Sequence, residues 1–213
     1  MSQGPALRRP IRYRYYNATV ILIVINVGIF LLTFVARGVM RYLALIPILV
    51  VQEHAWWQVV TYMFVHAGTW HLLFNMLALF MFGVPLERSL GSGEFLLYYF
   101  VTGVGAGLAT LAVNWYTGMA YIPVVGASGA IFAVLLAYAT LFPDARIVLF
   151  WILPMRAPMA VLVFAGIELF SLLTSTNAGV AHLTHLAGLL FGWLYLLWRL
   201  RMNPLRAFFR RRW

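Results

Sequence analysis

Six long apolar runs, at residues 18–36, 70–86, 94–114, 127–142, 158–174 and 180–198, constrain this chain more than any other feature. A hydrocarbon core about 30 Å thick takes roughly 20 residues of helix to cross. Backbone inside it must satisfy its own hydrogen bonds, which helices do and open strands do not. The runs therefore predict an all-α polytopic membrane protein, a six-transmembrane-helix bundle. The long connector at 37–69 carries Ile46, Pro47, Trp56 and Trp57 and is expected as an interfacial segment with aromatic anchors. Residues 146–158 are apolar but broken by Pro154 and Pro158, and are expected as a connector lying at the membrane surface. The first run is too long for a signal-peptide core and lacks a small-residue cleavage site, so it reads as a retained helix.

Charge sets the expected orientation. The net charge of +10 is carried by arginine alone among the basic residues, since the chain has no lysine. These arginines crowd at the ends and in alternate connectors, which argues for charged flanks that orient a membrane protein and against a nucleic-acid partner. With six spans both termini share a side, and that side receives every arginine except Arg37 and Arg41. The positive-inside rule then predicts a basic cytoplasmic segment at 1–17, a six-helix membrane domain at 18–198 and an Arg-rich cytoplasmic tail at 199–213. A compact chain of this kind suits a bacterial inner membrane. The absence of cysteine excludes disulfides, thiolate nucleophiles and Cys-based metal sites.

Polar side chains inside the spans cost free energy unless paired or facing water, so His71, Asn75, Ser128, Glu168, His182 and His185 are functional candidates. A helix rises about 1.5 Å per residue, which places Ser128 roughly 22 Å above Pro143, His185 roughly 21 Å above Arg199, Asn75 roughly 18 Å above Glu87 and His71 one turn higher. Four polar groups on three parallel helices thus converge on one layer below the outer surface. The fourth run is too short to cross the core, so Val124, Val125 and Gly126 are expected as non-helical backbone lining a wet cavity. The free N–H groups of that helix end would face the same cavity.

A serine hydroxyl is a poor nucleophile until a base takes its proton, and a neutral imidazole suits that task. Ser128 and His185 supply the pair. Gly126 and Gly129 opposite Gly188 and Gly192 would let two helix backbones approach closely. Phe132, one turn after Ser128, is placed to pack on the imidazole. The oxyanion of acyl transfer needs preorganised donors, and His71, Asn75 and the Ser128 backbone N–H can supply them. No Asp or Glu is expected beside His185, so the expectation is a dyad and not a triad. Against this stand a packing role for Gly-Ala-Ser-Gly and a three-histidine metal site built from His182, His185 and His66 or His71. No His-Glu-x-x-His stretch supports the latter, and no metal or other cofactor is expected. Glu168 reads as an interhelical hydrogen-bonding residue, and His182 as a weaker, water-coordinating neighbour. A transporter would need paired acidic residues or a second broken helix, which are not seen.

Taken together, His66, the His71-Leu-Leu-Phe-Asn75 run, Gly83 to Gly91 with its Leu-Glu-Arg core, Gly126-Ala-Ser-Gly129, and His185-Leu-Ala-Gly188 followed by Gly192 resemble the rhomboid family of intramembrane serine proteases. The resemblance implies Ser128 as nucleophile, His185 as general base, and His71, Asn75 and the Ser128 amide as the oxyanion hole. It also implies transmembrane protein substrates within a lipid bilayer, with the fifth helix and outer connectors as gate and cap. The chain departs from the family pattern in two places. Trp57-Gln58 stands where many members have Trp-Arg, so no anchoring ion pair is expected there, and Phe132 stands where many have Tyr. A non-catalytic rhomboid-like protein that binds membrane helices is the rival reading.

Overall fold

The computed structural model describes residues 11–36, 38–149, 153–174 and 179–209. Arg8, Arg9, Arg37 and Arg210 to Arg212, which carry part of the charge asymmetry, lie outside them. Helix α1 (Ala18–Val35) has a mean hydropathy of 2.7 and leaves Val24, Leu31, Phe34 and Val35 exposed, a surface suited to lipid. Its amino end is capped from a distance. The buried Glu87 carboxylate accepts the Ala18 and Thr19 backbone N–H groups at 2.6 and 2.9 Å and the Thr19 hydroxyl at 2.7 Å. A negative group satisfying orphan donors at the positive end of a helix is favourable on both counts.

The long connector folds as three short helices, α2 (Val39–Leu43), α3 (Pro47–Gln52) and α4 (Gln58–Thr61), the last running into a 3₁₀ turn at Tyr62–Phe64. Gln58 anchors this connector without an ion pair. Its buried amide oxygen accepts from Ile46 N at 3.0 Å, and its amide nitrogen donates to the Arg41 and Tyr42 carbonyls at 3.3 Å. Trp57 donates its indole N–H to the Tyr42 carbonyl at 2.9 Å and packs against the Tyr42 ring.

The second span runs from Thr69 to Leu90 as α5 (Thr69–Ala78), a π-helical turn (Leu79–Gly83) and α6 (Val84–Leu90). Pro85 explains the widened turn, because its ring collides with the carbonyl four residues earlier, at Met81. Helix α7 (Ser92–Tyr116) runs through the middle of the bundle. The Tyr98 hydroxyl donates to the Ala133 carbonyl at 2.6 Å, and the Thr110 and Thr184 hydroxyls meet at 2.9 Å. Helix α8 (Ser128–Leu141) has fourteen residues, about 21 Å of rise, and so begins below the level its longer neighbours reach. The backbone before it is pinned by two hydrogen bonds between Leu45 and Val124, at 3.0 and 2.8 Å, and by Gly126 N donating to the Tyr62 carbonyl at 2.9 Å.

Residues 146–158 differ from expectation. They contain an antiparallel hairpin of β1 (Arg146–Leu149) and β2 (Leu153–Arg156), with Val148 paired to Pro154. Both strands of a two-stranded ribbon are edges, so a proline that cannot donate is tolerated there. Helix α9 (Ala157–Thr174) follows at once, with Pro158 in its first turn, where no intrahelical donor is lost. Helix α10 (Gly179–Trp198) packs on α7, α8 and α9, and α11 (Pro204–Phe208) closes the described chain. At the α8–α10 crossing a Cβ on Gly188 would overlap the Gly129 carbonyl, and one on Gly192 would lie 3.1 Å from Ala133 Cα. The Glu94 carboxylate accepts from Arg199 Nε at 2.7 Å and from the Tyr195 hydroxyl at 2.5 Å, clamping the far end of α10 to the start of α7.

Among the described residues, five helices are long and apolar enough to cross a membrane, and α8 is a sixth, shorter apolar helix. The fold is an all-α membrane bundle with one small surface hairpin.

Candidate active site

The bare Gly188 face lets α10 lie against the start of α8, and this contact brings Ser128 and His185 together. Ser128 is the first residue of α8, and His185 stands one turn before Gly188. His185 Nε2 lies 2.7 Å from Ser128 Oγ, a hydrogen bond between side chains 57 residues apart in sequence. Phe132 stacks on the imidazole with 4.5 Å between ring centroids and 10° between planes, and meets Phe164 of α9 edge-on.

Gly126 has φ 118°, a left-handed backbone that a side chain would strain. A Cβ there would also lie 2.8 Å from His71 Cε1 and Nε2 and 3.6 Å from Ser128 Oγ. The His71 ring thus occupies the space that glycine leaves, beside the serine. Its Nδ1 accepts from Ala67 N at 3.4 Å, which assigns the proton to Nε2, the nitrogen turned toward Gly126. His66 is fully buried with its ring edge-on to His71 at 5.0 Å. Burial, with His71 adding to it, pushes the His66 pKa down to about 4, so this ring packs as a neutral group. Asn75 lies on α5 one turn after His71. Its Nδ2 donates to the His71 carbonyl at 2.7 Å, one turn back along its own helix, so at least one of its two N–H groups is engaged.

The main correction concerns the acid. The expectation that no carboxylate lies beside His185 does not hold. Glu168 of α9 brings Oε1 to 3.1 Å from His185 Nδ1 and Oε2 to 2.5 Å from His182 Nδ1. The physical reason is that α9 packs along α10, so a residue seventeen positions earlier in sequence meets the same layer from a second helix. His182 therefore has a carboxylate partner on the neighbouring helix. Among the described residues, the group whose donors could converge on a metal is Glu168, His182 and His185, within 4.8 Å of one another, and it includes neither His66 nor His71. Glu168 is visible in the sequence as a carboxylate inside a span; what hides its place is the crossing of α9, which spacing along one helix does not reveal.

A serine hydroxyl bonded to an imidazole at the amino end of a short helix, with an N–H donor beside it, is an arrangement for acyl transfer. The sequence profile of the Rhomboid domain matches residues 53–202, and the chain belongs to the rhomboid family. It is 40% identical over 85 residues to "Rhomboid protease GluP" of Bacillus subtilis, covering 40% of this chain and 16% of that protein. It is 42% identical over 91 residues to "Rhomboid protein 1, mitochondrial" of Saccharomyces cerevisiae, covering 41% and 25%. To "Rhomboid protease AarA" of Providencia stuartii it is 36% identical over 89 residues, covering 37% and 32%. The chain thus spans well under half the length of these curated relatives, which come from bacteria and mitochondria alike.

Proposed function

We propose that this chain is an intramembrane serine endopeptidase that cleaves transmembrane segments of other membrane proteins. The 2.7 Å contact between His185 Nε2 and Ser128 Oγ carries the reading. Membership of a family that includes named rhomboid proteases supports it.

In this reading Ser128 Oγ attacks the carbonyl carbon of the scissile peptide while its proton passes to His185 Nε2. The carbonyl π electrons move onto oxygen, and the Ser128 backbone N–H, His71 Nε2–H and an Asn75 amide N–H receive the charge. The tetrahedral intermediate collapses, the C–N bond breaks, and the imidazolium returns its proton to the leaving amine. Water, deprotonated by the same imidazole, then attacks the acyl carbon; as the ester C–O bond breaks, the imidazolium returns the proton to Ser128 Oγ and the acid product leaves. Phe132, stacked on the ring, restricts it to the rotamer that faces the hydroxyl. A peptide bond within a helix is shielded by its own hydrogen bonds, so substrates with locally unwound spans suit this site best. Both termini face the cytoplasm in this reading.

Reconstitution in liposomes with a single-span substrate tests the reading. Cleavage is expected in the wild type, lost in Ser128→Ala and in His185→Ala, and unchanged by a chelator. Turnover that persists in Ser128→Ala would reject a serine mechanism, and loss on chelation would favour a metal site. Binding of the substrate span without cleavage would favour the non-catalytic rival.

A further inference from the structure

We propose that Glu168 is a positioning residue for His185: its carboxylate selects the imidazole tautomer that can accept the Ser128 proton and balances the charge that forms on the ring. The proposal rests on the serine reading above and deepens it, since a two-residue site assigns no such part.

Glu168 is buried within a span, where an unpartnered charge would be expensive. Its two oxygens face two ring nitrogens of α10, His182 Nδ1 at 2.5 Å and His185 Nδ1 at 3.1 Å. A carboxylate oxygen accepts and does not donate, so each facing nitrogen is favoured as an N–H. With the proton on Nδ1, His185 presents a lone pair on Nε2, 2.7 Å from Ser128 Oγ. The other tautomer would set a lone pair against the carboxylate and an N–H against the hydroxyl, and could not take the serine proton.

His182 supplies the other half of the device. Its short bond to Oε2 fixes the carboxylate, and because His182 and His185 lie three apart they rise from one face of α10. Phe132 stacks on the base from the α8 side. The His185 Nδ1 to Oε1 contact is not a well-directed hydrogen bond in the resting arrangement, and that nitrogen has no other hydrogen-bond partner among the described residues. Contacts to a base are often loose before substrate binds. The imidazolium formed on attack strengthens the attraction to the carboxylate, so Glu168 favours the transition state more than the ground state.

The test uses the reconstituted full chain, a single-span substrate and a fluorophosphonate probe that labels an activated serine. Glu168→Gln keeps the side-chain size and removes the charge. Expected is a roughly 10- to 100-fold fall in kcat and in the probe's labelling rate, with KM within about twofold and the thermal midpoint retained. Glu168→Asp, which restores the charge, is expected to recover part of kcat. His182→Ala leaves the charge but loosens it, and is expected to lower kcat by less than Glu168→Gln. A wild-type kcat in Glu168→Gln overturns the proposal, as does a loss of kcat no larger than the accompanying loss of folded protein. A larger defect in His182→Ala than in Glu168→Gln also overturns it. If Ser128→Ala still cleaves, the serine reading itself fails; if Ser128→Ala is dead while Glu168→Gln is fully active, only this inference fails.

Discussion

The Phe132 ring stacks on the His185 imidazole, 4.5 Å away centroid to centroid and within 10° of parallel. An offset stack of this kind is worth about 0.5–1.5 kcal/mol beyond its buried area. In the proposed mechanism it narrows the directions His185 can face. Phe132→Ala is expected to lower kcat by roughly 3- to 10-fold, the equivalent of that energy, while the chain stays folded. Phe132→Tyr keeps the stacking face and should remain active. Steady-state cleavage in liposomes checks both, and undiminished kcat in Phe132→Ala would remove the ring from the mechanism.

Gly188 sits where the α8 and α10 backbones touch, and a Cβ there would overlap the Gly129 carbonyl. Backbone cannot swing aside as a side chain can, so Gly188→Ala must push the two helices apart. Overpacking of this sort costs about 1–3 kcal/mol. The shift would also stretch the contact between Ser128 and His185, so activity is expected to fall further than stability. Gly166 on α9 is the control, since a Cβ there meets nothing within 4 Å. Thermal unfolding in detergent together with a cleavage assay reads both effects. Equal behaviour of Gly188→Ala and Gly166→Ala would contradict the close-contact account.

That Ser128 and His185 share a layer is legible in the sequence, because each lies a countable number of residues from a charged or proline marker at one membrane edge. Gly188 and Gly192 are legible as a small-residue face, and Phe132 as one turn from the serine. The place of Glu168 is not, because its depth depends on where α9 starts and how it crosses α10. That start follows the β1–β2 hairpin, which an apolar stretch with two prolines and no alternating pattern does not announce. Gln58 reads in the sequence only as the loss of an ion pair, since spacing does not show that its amide reaches Ile46 N and two carbonyls. Residues on one helix face, or at a countable depth from a marked helix end, are readable from spacing; the way one helix crosses another, or a side chain reaches across a connector, is not.

His66 gives a pH dependence with a definite sign. Its pKa in the folded chain is about 4 against 6.5 for a free imidazole, because burial opposes the charge. As pH falls below 6.5 the unfolded chain takes the proton first, so stability present at neutral pH is lost down to about pH 4. Between pH 7 and pH 5 the expected loss is about 2 kcal/mol. His66→Phe, which fills the site without titrating, should show a smaller drop in thermal midpoint over the same interval. Identical pH dependence in the two proteins would remove His66 as the cause.

His71 and Asn75 are expected to contribute unequally to holding the oxyanion. The His71 ring fills the space beside Gly126, and its Nδ1 accepts from Ala67 N, so Nε2–H points toward the serine side. Asn75 already donates to the His71 carbonyl, which leaves one amide N–H for the reaction and makes the residue a brace for α5 as well. Removing one oxyanion donor costs roughly 10²- to 10³-fold in kcat. His71→Ala is therefore expected to lose that much with KM little changed. Asn75→Ala should lose a similar or smaller amount and also lower the thermal midpoint, because the His71 carbonyl loses a partner. The double variant should fall short of the product of the two single losses, since the Asn75 brace fixes the turn that carries His71. Kinetics of the two single variants and the double variant on one substrate measure this directly. Fully multiplicative losses would mean that the two donors act independently and that the bond between them has no part in setting the site.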